Sequence, residues 1–165
     1  MLLSYLCSMA NDPKPIKRSR QLTPWSKDHH EGLSLTWKIR QGLKNGTEKK
    51  RIIDYVKWFW VNHLEEHFRE EEELLESYLH GHAMIGRMFN EHKDIRALVD
   101  TDLENAEELE KFAALLHDHI RFEERELFGL AESLIPAEGL DQIESEINKG
   151  PNECDAWQDE FWLMK

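Results

Sequence analysis

Apolar and polar positions alternate at helical spacing in four long stretches of the chain, and no stretch shows the two-residue period of a strand. Thr23 followed by Pro24 matches a helix start with proline in the first turn, and Lys44-Asn45-Gly46 is a breaker, so the first helix is predicted over about 24–43. Thr47 can cap the second, whose inward stripe reads Ile52, Val56, Phe59, His63, His67, Glu71, Leu74, Tyr78 and stops at Gly81. A third stripe reads Ile85, Met88, His92, Ile95, Val99 before an acidic turn at 100–105. The fourth reads Leu109, Phe112, Leu116, His119, Glu123, Leu127, Leu130, Leu134 and ends before Pro136. A short fifth helix around 139–148 and an aromatic tail follow, with Trp157, Phe161 and Trp162 expected to pack back on the rest. Long helices joined by short connections predict an all-α fold, an up-down-up-down antiparallel four-helix bundle with a short C-terminal helix and tail.

Length and charge narrow this picture. The 165 residues suit one domain with its own core, divided as a flexible leader at 1–22, the bundle at 23–135 and the C-terminal helix and tail at 136–165. A net charge of -12 repels phosphate backbones and anionic lipid surfaces, which argues against nucleic-acid and membrane partners. Cys7 and Cys154 lie near opposite ends without a CxxC spacing, so neither a disulfide framework nor a thiolate zinc site is expected, and a reducing cytoplasm is the expected location. The opening MLLSYLCSMA is too short to span a bilayer and has no basic residue before it; translation is expected to start at Met9, where a polar run begins.

The stripes also carry residues that a core does not ordinarily hold. His30, His63, His67, Glu71, His92, His119 and Glu123 fall among Leu, Ile, Phe and Trp. Any one of these histidines is best read as a satisfied core residue. Together they are not, because each unpaired buried charge costs several kcal/mol, and bound cations compensate such a cluster most simply. In the first helix His29 competes with His30; His30 is preferred because Leu33 lies three places on, as Ile95 lies three after His92. His63 stands one turn before His67 and reads either as a fifth histidine ligand or, preferred, as a group hydrogen-bonded near the site. Mixed nitrogen and oxygen donors from four His and two Glu suit two octahedral ions bridged by carboxylates better than one tetrahedral zinc. Two iron ions are the expected occupants, with manganese or zinc as lesser candidates. The acidic runs containing Glu70, Glu72, Glu73, Glu124 and Glu126 are read as a solvated face, His80 and His82 as turn residues, and His117 as lying on another side of its helix from His119.

The segments DHHEGL, HFREEE, NEHKDI and HIRFEERELF fall in the order of the hemerythrin-like HHE cation-binding family, and the chain resembles that family over about 23–135. The resemblance implies a non-haem di-iron centre bridged by an oxo or hydroxo species. It makes His30, His67, His92 and His119 terminal ligands and lets Glu71 and Glu123 bridge the irons. The oxygen-carrying members place HxxxH on the third helix and HxxxxD on the fourth. Here Met88 and Arg96 flank His92 at four residues, and Glu123 follows His119 at four. The pattern is more similar to bacterial iron-centre repair proteins and to the iron-sensing domain of a eukaryotic ubiquitin-ligase subunit, though the additional cysteine-bearing, F-box and leucine-rich segments of those proteins are missing. Ferritin-like sites draw ligands from Glu-x-x-His, a spacing that none of the nine histidines has. The resulting expectation is a metal-binding module that binds or senses oxygen, nitric oxide or iron. The alternative is an enzyme or iron donor that acts on peroxide or nitric oxide or repairs iron-sulfur clusters.

Overall fold

A computed structural model describes residues 16–147 and 156–163, apart from the side chains of residues 101 and 102. The expected start at Met9, both cysteines and the first part of the leader lie outside the described residues. Among the described residues the chain is all-helical. Helix α1 spans Thr23–Lys44. The second rod joins α2, Lys49–Phe59, to α3, Glu65–Leu79, through a π turn at Trp60–Leu64. The third is α4, Ala83–Ala97, closed by a π turn at Leu98–Asp102. The fourth joins α5, Ala106–Phe122, to α6, Phe128–Leu134, through a π turn at Glu123–Leu127, and α7, Ala137–Glu146, follows. Helix α1 packs along α5 and against α2, α3 against α4 and α6, and α4 against α5.

Local chemistry sets the rod ends. Gly46 and Gly81 adopt φ of 68° and 75°, left-handed turns that a side chain would strain. Asn105 caps α5 and closes a capping box with Glu108. The two threonines expected as caps do other work: Thr23 donates its hydroxyl to the Ser19 carbonyl at 2.8 Å, and Thr47 to the Phe161 carbonyl at 3.2 Å.

The buried apolar residues form two clusters. One gathers Leu35, Ile39, Val56, Phe68, Phe112 and Leu116 with Phe161 from the tail, while Trp157 and Trp162 pack partly buried against it. The other gathers Leu22, Trp25, Leu75, Met88, Phe128 and Ile143. Leu22, assigned from sequence to the leader, is fully buried, so the packed chain begins before α1. Beyond Glu71 the inward residues are Leu75 and Leu79; Leu74 is partly buried and Tyr78 exposed, contrary to the sequence stripe. The π turn inserts one residue upstream of His67, so the buried Phe59 and Trp60 are followed by Leu64 and the half-buried His63 falls out of phase.

Candidate metal centre

Between the two apolar clusters lies a buried layer of His29, His67, Glu71, His92, His119 and Glu123. His29 stacks on Phe128 of one cluster, with centroids 5.1 Å apart and planes at 12°. His92 stacks on Phe68 of the other, at 3.8 Å and 7°. Each imidazole is therefore held flat by an aromatic face, with its Nε2 directed inward.

The inward atoms sort into two groups. His29, His67, Glu71 and Glu123 bring donor atoms within 4.8 Å of one another, and so do Glu71, His92, His119 and Glu123. Both carboxylates belong to both groups, and each divides its oxygens between them. Glu71 Oε1 lies 3.4 Å from His29 Nε2 and 3.3 Å from His67 Nε2, while Oε2 lies 3.5 Å from His92 Nε2. Glu123 Oε2 lies 3.0 Å from His29 Nε2, while Oε1 lies 3.2 Å from His119 Nε2 and 3.7 Å from His92 Nε2. All four carboxylate oxygens, with the Nε2 atoms of His29 and His67, are buried without a hydrogen-bond partner. Orphaned donors of this kind, converging at two adjacent points, fit cations better than they fit one another.

Outside this layer every imidazole is held through Nδ1 by an acidic side chain. Glu124 holds His29 at 2.8 Å, Asp28 holds His67 at 3.3 Å, Glu72 holds His92 at 2.8 Å and Glu91 holds His119 at 2.8 Å. An Nδ1–H donated outward fixes the tautomer that leaves Nε2 free for a metal. Three of the acids are themselves clamped: Glu124 by Arg18 at 3.0 Å and Ser26 at 2.7 Å, Glu72 by Arg96 at 2.6 Å and Glu91 by Arg87 at 2.6 Å. The order is cyclic. Helix α1 supplies the acid for the α3 histidine, α3 for that of α4, α4 for that of α5, and Glu124, just beyond α5, for that of α1.

The electrostatics agree. Burial alone would depress the imidazoles, but the facing carboxylates outweigh it and raise His67 to about 9 and His92 to about 10, with His29 and His119 also raised. Burial pushes Glu71 and Glu123 up, as does the charge of Glu123 on Glu71, yet the surrounding imidazoles hold both well below the ordinary carboxylate range. Without metal, His67 and His92 are imidazoliums beside two carboxylates.

Against the sequence reading, the structure brings His67, Glu71, His92, His119 and Glu123 together and corrects the first helix. His30 is exposed and outside both donor groups; His29 occupies its expected place. The inward stripe of α1 is Trp25, His29, Gly32, Thr36, Ile39, and its glycine hid the phase: a Cβ at Gly32 would sit 2.7 Å from Ile120 Cδ1, so the position is apolar only by having no side chain. His63 lies in the π turn, half-buried against Phe59 at 4.6 Å, and belongs to neither donor group. It lines a cavity of about 40 Å³ with Asp28, Glu31, Phe59, His67 and Glu70. Glu72 and Glu124, assigned to a solvated face, are partly buried holders of His92 and His29, and Glu70 is buried within reach of the Trp25 indole N–H at 3.4 Å. The signal for the outer acids was adjacency, since Asp28-His29, Glu71-Glu72, Glu91-His92 and Glu123-Glu124 each pair an inner residue with an outer one.

A family model described as the hemerythrin HHE cation binding domain matches residues 22–131. Comparison with curated proteins and with solved structures found no match. No helix among the described residues is long and apolar enough to cross a membrane.

Proposed function

Because this chain belongs to the hemerythrin HHE cation-binding family, we propose that it is a non-haem di-iron protein that reversibly binds or senses a small diatomic ligand, oxygen or nitric oxide, or iron itself. The observation that carries this reading is the pair of donor groups sharing Glu71 and Glu123. One ion would take His29 and His67, the other His92 and His119, with each carboxylate spanning both. The four rods would form the up-down-up-down bundle of the family. Bound iron would supply the electron-transfer and ligand-binding chemistry. The chain's own residues fix the imidazole rings through the outer acids, leave the Nε2 atoms to the cations once their protons are displaced, and exclude bulk water through the two apolar clusters. The cavity beside His67 has room for about one or two water-sized molecules, which suits a diatomic ligand better than an organic substrate. Both nitrogens of every inner imidazole are committed, Nδ1 to an acid and Nε2 to the centre, which favours binding over proton-transferring turnover.

Protein purified from iron-replete cells should carry close to two iron ions per chain. After anaerobic reduction it should change its optical spectrum reversibly on exposure to oxygen or nitric oxide. An intact helical circular dichroism spectrum with no bound metal overturns the reading. Steady-state consumption of peroxide or nitric oxide would replace the binding module with an enzyme.

A further inference from the structure

The segment before α1 reaches the centre from outside the matched region. Arg18 has a side chain only 7% exposed. Its Nη2 donates to the Glu124 carbonyl and, at 3.0 Å, to Glu124 Oε2, and its Nη1 donates to Glu132 Oε2 at 3.2 Å. The Ser19 backbone N–H adds a bond of 2.7 Å to Glu132 Oε1. The guanidinium carbon also lies 5.2 Å from the centroid of the Phe128 ring. Arg18 thus grips both supports of His29: Glu124, which holds Nδ1 at 2.8 Å, and Phe128, which stacks on the ring at 5.1 Å. The forked guanidinium suits this double contact in a way that a lysine ammonium cannot.

We propose that Arg18 is a positioning residue for His29, and that its grip on Glu124 and Phe128 retains the ion shared by His29 and His67. The inference rests on the two-cation reading above. It predicts a sign opposite to simple electrostatics. Removing a positive charge near a cation site should tighten cation binding, whereas freeing Glu124 and the His29 ring should loosen it.

The experiment loads full-length protein anaerobically with ferrous iron and follows extraction by a ferrous chelator. In Arg18→Gln, one of the two ions should leave up to about tenfold faster, at or below the low end of the range for loss of a partner bonded to the ligand itself, while the other leaves at the wild-type rate. Arg18→Lys keeps the charge and loses the fork, so it should accelerate the same ion by a smaller factor. Arg20→Ala is the control. Arg20 pairs with Asp141 at 3.2 Å and Glu144 at 2.5 Å, and so helps dock the same segment without touching Glu124; it should extract like wild type. Should Arg18→Gln not fold, Glu132→Gln loosens the same guanidinium and should accelerate the same ion. Unchanged or slower extraction in the Arg18 variants, equal acceleration of both ions, or the same acceleration in Arg20→Ala overturns the proposal. Wild-type protein that takes up fewer than two ions overturns the two-cation reading itself, before any variant is compared.

Discussion

Replacing His29 and, separately, its neighbour His30 by alanine tests the centre at the position where sequence and structure part. The two residues are adjacent and chemically identical, so composition, net charge and helix propensity change equally in both variants. Their surroundings do not. His29 presents Nε2 at 3.0 Å from Glu123 Oε2 and 3.4 Å from Glu71 Oε1, whereas His30 is exposed. Loss of a partner behind a ligand weakens metal binding about ten- to a hundredfold; loss of the ligand itself should exceed that. At about 1.4 kcal/mol per tenfold, His29→Ala should therefore cost at least about 2.8 kcal/mol of affinity at one of two positions. His30→Ala, a surface change, should stay within about 0.5 kcal/mol of wild type in fold stability and hold both ions. Competition against a chromophoric chelator gives the two affinities, with circular dichroism confirming that each variant is folded at the assay temperature. Equal losses in the two variants, or a larger loss in His30→Ala, would refute the assignment of the inward face of α1.

Because the facing carboxylates raise His67 to about 9 and His92 to about 10, these two are protonated in metal-free protein at pH 7, and filling both positions should release at least about two protons. Affinity should accordingly fall as pH falls below those values; calorimetry in buffers of different ionisation enthalpy measures the release, and a count near zero contradicts it. His63→Ala should keep both ions with unchanged X-ray absorption edges, since His63 belongs to neither donor group; loss of an ion would make it a ligand. Phe161→Ala should destabilise the fold by about 3–5 kcal/mol, because the ring is 4% exposed and fills the space over Gly42. At about 2–4 °C per kcal/mol, its melting temperature should drop by about 6–20 °C, and a drop under 2 °C would show that the tail is not anchored there.

The rods and most of the inner layer were legible because they obey one rule, helical spacing of buried positions. Ile85, Met88, His92, Ile95 and Val99 are buried as the spacing of the third stripe requires, and so are Leu109, Phe112, Leu116, His119, Glu123 and Leu127 in the fourth. What escaped the rule has physical causes. A π turn adds a residue without changing composition, so His63, four before His67, looked in phase and is not. A buried glycine carries no hydrophobicity, so Gly32 left the phase of α1 to be set by Leu33, which is only partly buried. The outer acids were hidden because a half-buried glutamate that accepts an imidazole N–H has the same letter as one in water. Arg18 looked like part of a polar leader, and only the fold brings Glu124 and Glu132 to it.

The cyclic order of the outer acids divides the four rods into two kinds. Helix α1 carries His29 and also Asp28, the acid that holds His67, so both imidazoles of one position depend on that rod. Helix α4 carries His92 and also Glu91, the acid that holds His119, so both imidazoles of the other position depend on it. The bridging carboxylates come from the remaining two rods, Glu71 from α3 and Glu123 from the turn after α5. Those two supply the shared carboxylates, while α1 and α4 each carry one imidazole and the acid behind a second imidazole of the same donor group. On the two-ion proposal, an outward shift of either would loosen one ion and leave the other in place. The α1 contact at His67 is the weaker one: Asp28 stands 3.3 Å away with 42% of its side chain exposed, so on the two-ion proposal the His29 and His67 side would empty before the other.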